Sequence, residues 1–135
     1  MLLIGGQKLR ELGSSRHTDD SDYMIYDKEK EMFSHDHIKN VDYINAAKND
    51  FFMKIWKKEK DNKDMSLNSL LELKCYSFVQ HCQNMNFQKA DNDEFDIKFL
   101  VRKLNFCVYF NNVKHYISDG ELSEITKIIN SIKRG

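Results

Sequence analysis

The sequence predicts an α+β domain in which a small mixed sheet in the N-terminal third is packed against several helices. Three observations carry this expectation. Short apolar and β-forming runs crowd into residues 1–45, apolar residues recur at helical spacing from residue 49 onward, and the 135-residue length fits a single domain spanning 1–135.

The elements follow in order. The run MLLIG ends in glycines and reads as a short buried strand. Gln7–Leu12 is a short helical stretch stopped by Gly13-Ser14-Ser15. Asp22–Asp27 reads as a strand, with β-formers at Tyr23, Ile25 and Tyr26. A second extended piece covers Glu31–Ser34, the polar HDHIKN stretch is a turn, and Val41–Ile44 is another strand.

The remainder is mostly helical. Phe52, Ile55 and Trp56 fall at helical spacing within residues 49–61, and Asp61–Asp64 is a polar break. Ser66 is a candidate N-cap for a helix reaching Cys82, with Leu67, Leu70, Leu71, Cys75, Phe78, Val79 and Cys82 on its apolar face. A loop follows, then a helix from Asp93 to Leu104. FCVYF (106–110) is expected as a short strand or buried extended piece, and Asp119 as the cap of a last helix.

Composition narrows the function classes. The 21 basic and 21 acidic residues balance, so no strongly basic surface marks a general nucleic-acid binder. Residues 1–50 carry seven Lys/Arg and ten Asp/Glu, an acidic half able to hold cations. Cys75, Cys82 and Cys107 form no CxxC pair and are expected as buried free thiols. No apolar run approaches a membrane span, and the opening residues lack the basic start of a secretory signal, so a cytoplasmic location without membrane contact is expected.

Chemistry concentrates between Gly5 and Asp22. Gly5 and Gly6 end a strand and open a helix, where backbone N–H groups can approach an anion; the plainer account is a tight turn. Asp20 and Asp22 lie at i and i+2 of an extended run, on one face and roughly 7 Å apart. Two carboxylates there favour a hard cation such as Mg²⁺, unless both are simply solvated. Asp27 has the wrong parity to join them. Asp42 sits inside the strand-like NVDYIN and completes a three-carboxylate set if its strand neighbours the first; otherwise it faces water. Lys74 falls on an apolar helix face, where it either serves a site or snorkels. Asp93 and Asp96 lie on the apolar side of the next helix, where capping is the plainer account. His35-Asp36-His37 has the look of a metal pair but falls in the polar turn and reads as solvated.

Gly5-Gly6, Gly13, Arg16, Thr18, Asp20 and Asp22 match the pattern GGxxLxxxGxxRxTxDxD. In this the chain resembles nucleotidyltransferases of the polymerase-beta superfamily, and within them the group related to abortive-infection toxins. Residues 70–82 (LLELKCYSFVQHC), with Lys89, Asp93 and Asp96-Ile97, are similar to a looser second segment of that group. The usual Gly-Ser is Gly-Gly here, and no Pro follows Ser66.

The resemblance implies a minimal nucleotidyltransferase-like fold. Asp20 and Asp22 would be catalytic and would hold Mg²⁺ or Mn²⁺, with Asp42, assigned from its place in NVDYIN, as the third catalytic and metal-holding acid. Gly5, Gly6, Arg16, Lys74 and Asp96 would bind the nucleotide. The implied reaction transfers a nucleoside monophosphate from an NTP to an acceptor hydroxyl on a tRNA end, a protein or a small molecule. The alternative is an inactive nucleotide-binding or toxin–antitoxin regulatory module of the same fold, with a partner protein or a second copy of the chain. A third possibility is a structural α+β protein with solvated acids.

Overall fold

The computed structural model describes residues 1–18 and 21–133. The chain divides into two compact units, Met1–Ser66 and Leu67–Gly135. No described helix is long and apolar enough to cross a membrane.

The first unit holds β1 (Leu2–Ile4), α1 (Gly5–Glu11), β2 (Ser21–Ile25), β3 (Phe33–Asp36), β4 (Val41–Asn45), a 3-10 turn at Ala46–Lys48, and α2 (Asp50–Glu59). The four strands form one mixed sheet in the order β1-β2-β4-β3. β1 runs antiparallel to β2, β2 parallel to β4, and β3 antiparallel to β4. The sheet in the N-terminal third is therefore mixed, as the sequence indicates.

Strand alternation sorts the faces. Leu2, Met24, Ile44 and Phe33 are register partners across the sheet and share one face. Helix α2 lies over that face: the Phe33 and Phe52 rings meet edge-on at 6.4 Å, and Tyr26 stacks on Trp56 at 6.4 Å. Leu2, Ile4, Leu9, Met24, Phe51, Phe52 and Ile55 are buried there.

Polar side chains close the loops of this unit. Asn45 Nδ2 donates to the carbonyls of Asp27 (2.6 Å) and Lys30 (2.9 Å), and its Oδ1 accepts from the N–H of Asp27 (3.0 Å) and Ala47 (3.1 Å). Glu59, buried at the end of α2, accepts from the Ser66 N–H and from Asn62 Nδ2, both at 2.7 Å. Lys8, also buried, donates to Asp64 Oδ1 at 2.8 Å. That bond holds the Asp64 carboxyl below the usual carboxylate range.

The second unit is helical: α3 (Leu67–Gln83), α4 (Phe87–Lys103), a 3-10 turn at Val113–His115, and α5 (Asp119–Asn130). Leu70, Leu71, Cys75, Val79, Ile97, Leu100, Val101, Val113 and Ile125 are buried in it. Glu72 is fully buried on α3 and accepts three hydrogen bonds: from Val113 N–H (2.6 Å), Asn112 N–H (2.9 Å) and Asn112 Nδ2 (2.9 Å). One carboxylate thereby fixes an irregular segment that has no ladder partners.

Several boundaries differ from those the sequence suggests. α4 begins at Phe87, six residues before Asp93, with the Asn86 side chain accepting the Lys89 N–H. The polar stretch hid this start because the inward-facing positions include Asp93 and Asp96. FCVYF is not a strand. Asn105 and Phe106 take left-handed φ values of 52° and 62°, and the Phe106 N–H donates to the Val101 carbonyl at 2.9 Å, a winding that closes a helix C-terminus. The last helix is capped by Ser118 rather than Asp119, in a reciprocal box with Glu121. His35 and Asp36 lie in β3 rather than in the turn. Of the three cysteines, Cys75 is buried, Cys82 half-buried and Cys107 exposed.

Replacing Glu72 with Ala strands the N–H groups of Asn112 and Val113. We expect Glu72→Ala to lower unfolding stability by about 3 kcal/mol, while Glu124→Ala, on an exposed i,i+3 pair with Lys127, leaves it nearly unchanged. Urea unfolding of both variants checks this.

Candidate functional site

Register places the site. Ile4 pairs with Asp22, Asp22 with Asp42, and Asp42 with His35, forming a row across all four strands. Paired residues share a face, so this polar row lies on the same face as Leu2, Met24, Ile44 and Phe33, two residues along each strand. Because β2 and β4 are parallel, both acids sit near the starts of their strands. β1 runs the other way, so its end, and Gly5 just after it, arrives at the same end of the sheet.

That arrangement explains the glycine pair. Gly5 adopts φ +76°, and a Cβ there would collide with the Asp22 carboxylate, with Cγ at 2.9 Å. A Cβ on Gly6 would meet Thr18 Cγ2 at 2.7 Å and Arg16 Nη2 at 2.9 Å. The Gln7 side chain adds a bond from Nε2 to the Thr18 carbonyl at 2.7 Å. Gly5, Gly6, Arg16, Thr18 and Asp22, spread over eighteen positions of the sequence, thus meet at one point. Gly13, at φ +107°, ends the turn after α1 with open space around it.

Asp42 has a second neighbour. Its Oδ1 lies 2.5 Å from His35 Nδ1, with the two side chains 41% and 30% exposed respectively. The sequence does not reveal this pair, because His35 reads as part of a polar turn, whereas in β3 it stands directly opposite Asp42. Asp20 lies outside the described residues. Among the described residues, no group of three or more His, Cys, Asp or Glu side chains is arranged to hold a metal ion.

The helical unit carries its own polar cluster. Lys74 Nζ lies 2.9 Å from Asp96 Oδ2 and 3.8 Å from Asp93 Oδ1. Asp93 Oδ2 accepts from Ser77 Oγ at 3.0 Å and lies 2.6 Å from His81 Nδ1. Lys74, Ser77 and His81 follow i, i+3, i+7 spacing on α3, a signal present in the sequence. Lys74 and Asp96 interrupt apolar faces because each answers the other between α3 and α4. Cys75 beside them is fully enclosed, and burial pushes its thiol far above the ordinary range, with Glu72 and Asp93 adding to the shift. It remains a protonated core residue rather than a nucleophile.

Gly5→Ala combines a left-handed φ with a collision against Asp22 and is expected to cost about 2–3 kcal/mol; Gly6→Ala meets a methyl and the mobile end of Arg16 and costs about 1 kcal/mol. Lys74→Ala leaves two buried carboxylates without their lysine and is expected to cost about 3 kcal/mol, most of it recovered in a Lys74→Met, Asp96→Leu double variant. Chemical denaturation of the four proteins checks both orders.

Comparison with protein-family models, curated proteins and solved structures found no match to this chain.

Proposed function

We propose that the chain is a metal-dependent nucleotidyltransferase that moves a nucleoside monophosphate from an NTP to an acceptor hydroxyl. The observation that carries this reading is the meeting of Gly5, Gly6, Arg16, Thr18 and Asp22 at one end of the sheet, with Asp42 beside Asp22 in register. The nucleotidyltransferase resemblance assigns Gly5, Gly6 and Arg16 to nucleotide binding and Asp22 to metal binding, and Asp42 is added as the third acid from its place in NVDYIN.

The donor set suits a hard divalent cation, since Asp22 and Asp42 offer carboxylate oxygens on one sheet face. Asp20 joins them through the sequence pattern. Bound Mg²⁺ or Mn²⁺ would supply charge stabilisation for the attacking and leaving oxygens of an in-line displacement. The chain's own residues do the rest in this reading. Backbone N–H groups at Gly5 and Gly6 would donate to the phosphate oxygens, and the Arg16 guanidinium beside Gly6 offers planar donors to them. Asp42 accepts the proton of the attacking hydroxyl. Lys74 and Asp96 enter through the resemblance alone, since their mutual ion pair already accounts for their burial. The acceptor is a tRNA end, a protein side chain or a small molecule; the neutral net charge favours the latter two unless a partner protein supplies a basic surface.

One observation favours a second reading, an inactive nucleotide-binding or toxin–antitoxin regulatory module: His35 already occupies an oxygen of Asp42. Nucleotide binding without turnover is its signature.

The test compares wild type with an Asp20→Asn, Asp22→Asn double variant. We expect Mg²⁺-NTP to raise the wild-type melting temperature and to support pyrophosphate release. The double variant should lose release by on the order of 100-fold or more, with its ligand-free melting temperature unchanged or higher because like charges have been removed. Ligand stabilisation with no release identifies the inactive module. A wild type indifferent to Mg²⁺-NTP, with a destabilised double variant, assigns the acids a structural role and refutes both readings.

A further inference from the structure

We propose that His35 and His37 form a two-histidine site for a borderline divalent transition ion of the Zn²⁺ type, with Asp42 orienting His35. This site shares Asp42 with the carboxylate chemistry above, but its two ligands, His35 and His37, take no part in that chemistry.

Position comes first. His35 lies in β3, the outer strand of the sheet, and His37 follows immediately after the strand ends at Asp36. Their ring centroids are 4.5 Å apart with the planes at 68°. Two imidazoles that share one ion at ~2.0–2.1 Å bring their ring centres to on the order of 5 Å. The observed ring separation is close to that distance, and both residues are exposed to solvent.

Orientation comes second. His35 Nδ1 lies 2.5 Å from Asp42 Oδ1. A carboxylate oxygen accepts, so Nδ1 carries the hydrogen, and the neutral ring keeps its lone pair on Nε2. A carboxylate holding one ring nitrogen of a histidine, so that the other is presented to a metal, is the usual support of a histidine ligand. The register that sets His35 opposite Asp42 builds this support into the sheet.

The chemistry of the donors selects the ion. Imidazole nitrogen suits Zn²⁺, Co²⁺, Ni²⁺ and Cu²⁺ and is a poor match for Mg²⁺, which demands oxygen. Two protein ligands leave the remaining positions to water.

The experiment uses the full chain and the metal alone. Zn²⁺ is titrated calorimetrically into wild type, His35→Ala, His37→Ala and Asp42→Asn, and Co²⁺ spectra are recorded for the same proteins. We expect one Zn²⁺ per wild-type chain, an affinity at least about 10-fold weaker in either histidine variant, and a loss of about 10-fold in Asp42→Asn. Wild-type Zn²⁺ affinity in His37→Ala overturns the proposal. So does a Co²⁺ spectrum with thiolate charge-transfer bands that disappear in Cys107→Ser. A melting curve of His37→Ala with Mg²⁺-NTP separates this proposal from the preceding one. Loss of the Zn²⁺ response with an intact nucleotide response supports the histidine site, and failure of the nucleotide response in wild type itself bears on the nucleotidyltransferase reading alone.

Discussion

The register of β2 between β1 and β4 is the constraint on which the first unit rests. One alignment does two things at once. It lines Leu2, Met24, Ile44 and Phe33 into an apolar row under α2, and it lines Ile4, Asp22, Asp42 and His35 into a polar row just beyond. A one-residue slip of β2 would turn Met24 outward and send Asp22 to the other face. The burial of Leu2 and Met24 in that row therefore helps to hold Asp22 in place.

Both units spend buried charge on chain closure. Lys8 and Glu59 tie down the segment after α2, and Glu72 holds the irregular stretch before α5. Lys74 with Asp96 and Asp93 joins α3 to α4. A buried ion pair stabilises little over a well-packed apolar pair, but removing one partner is costly. Such groups fix which arrangement forms more than how stable it is. They also resemble active-site residues in a sequence, because a charge on an apolar face reads the same whether it meets a ligand or another side chain.

Much of the first unit was legible in the sequence. The strand at residues 2–4 followed from an apolar run closed by glycines, and the strands around Asp22 and Asp42 from their β-forming residues. The pattern from Gly5 to Asp22 marked the residues that meet. What the sequence withheld was pairing. Nothing local says that β4 inserts between β2 and β3, and only that order sets His35 opposite Asp42. In the helical unit, Asp93 and Asp96 obscured the start of α4 because inward-facing acids imitate a loop. The apolar FCVYF imitated a strand, although left-handed Asn105 just before it and Phe106 at its start belong to a helix ending.

Asn45 has a kinetic consequence. The segment from Asp27 to Lys30 is charged and exposed, the kind of loop that ordinarily opens on its own. Its backbone is instead bound to a side chain at the end of β4, and Asn45 itself is buried. Amide exchange at Asp27 is thus tied to release of the end of β4, a structured strand, rather than to local fraying. The loop is thereby coupled to the sheet, and a surface that looks soft in composition is expected to open slowly.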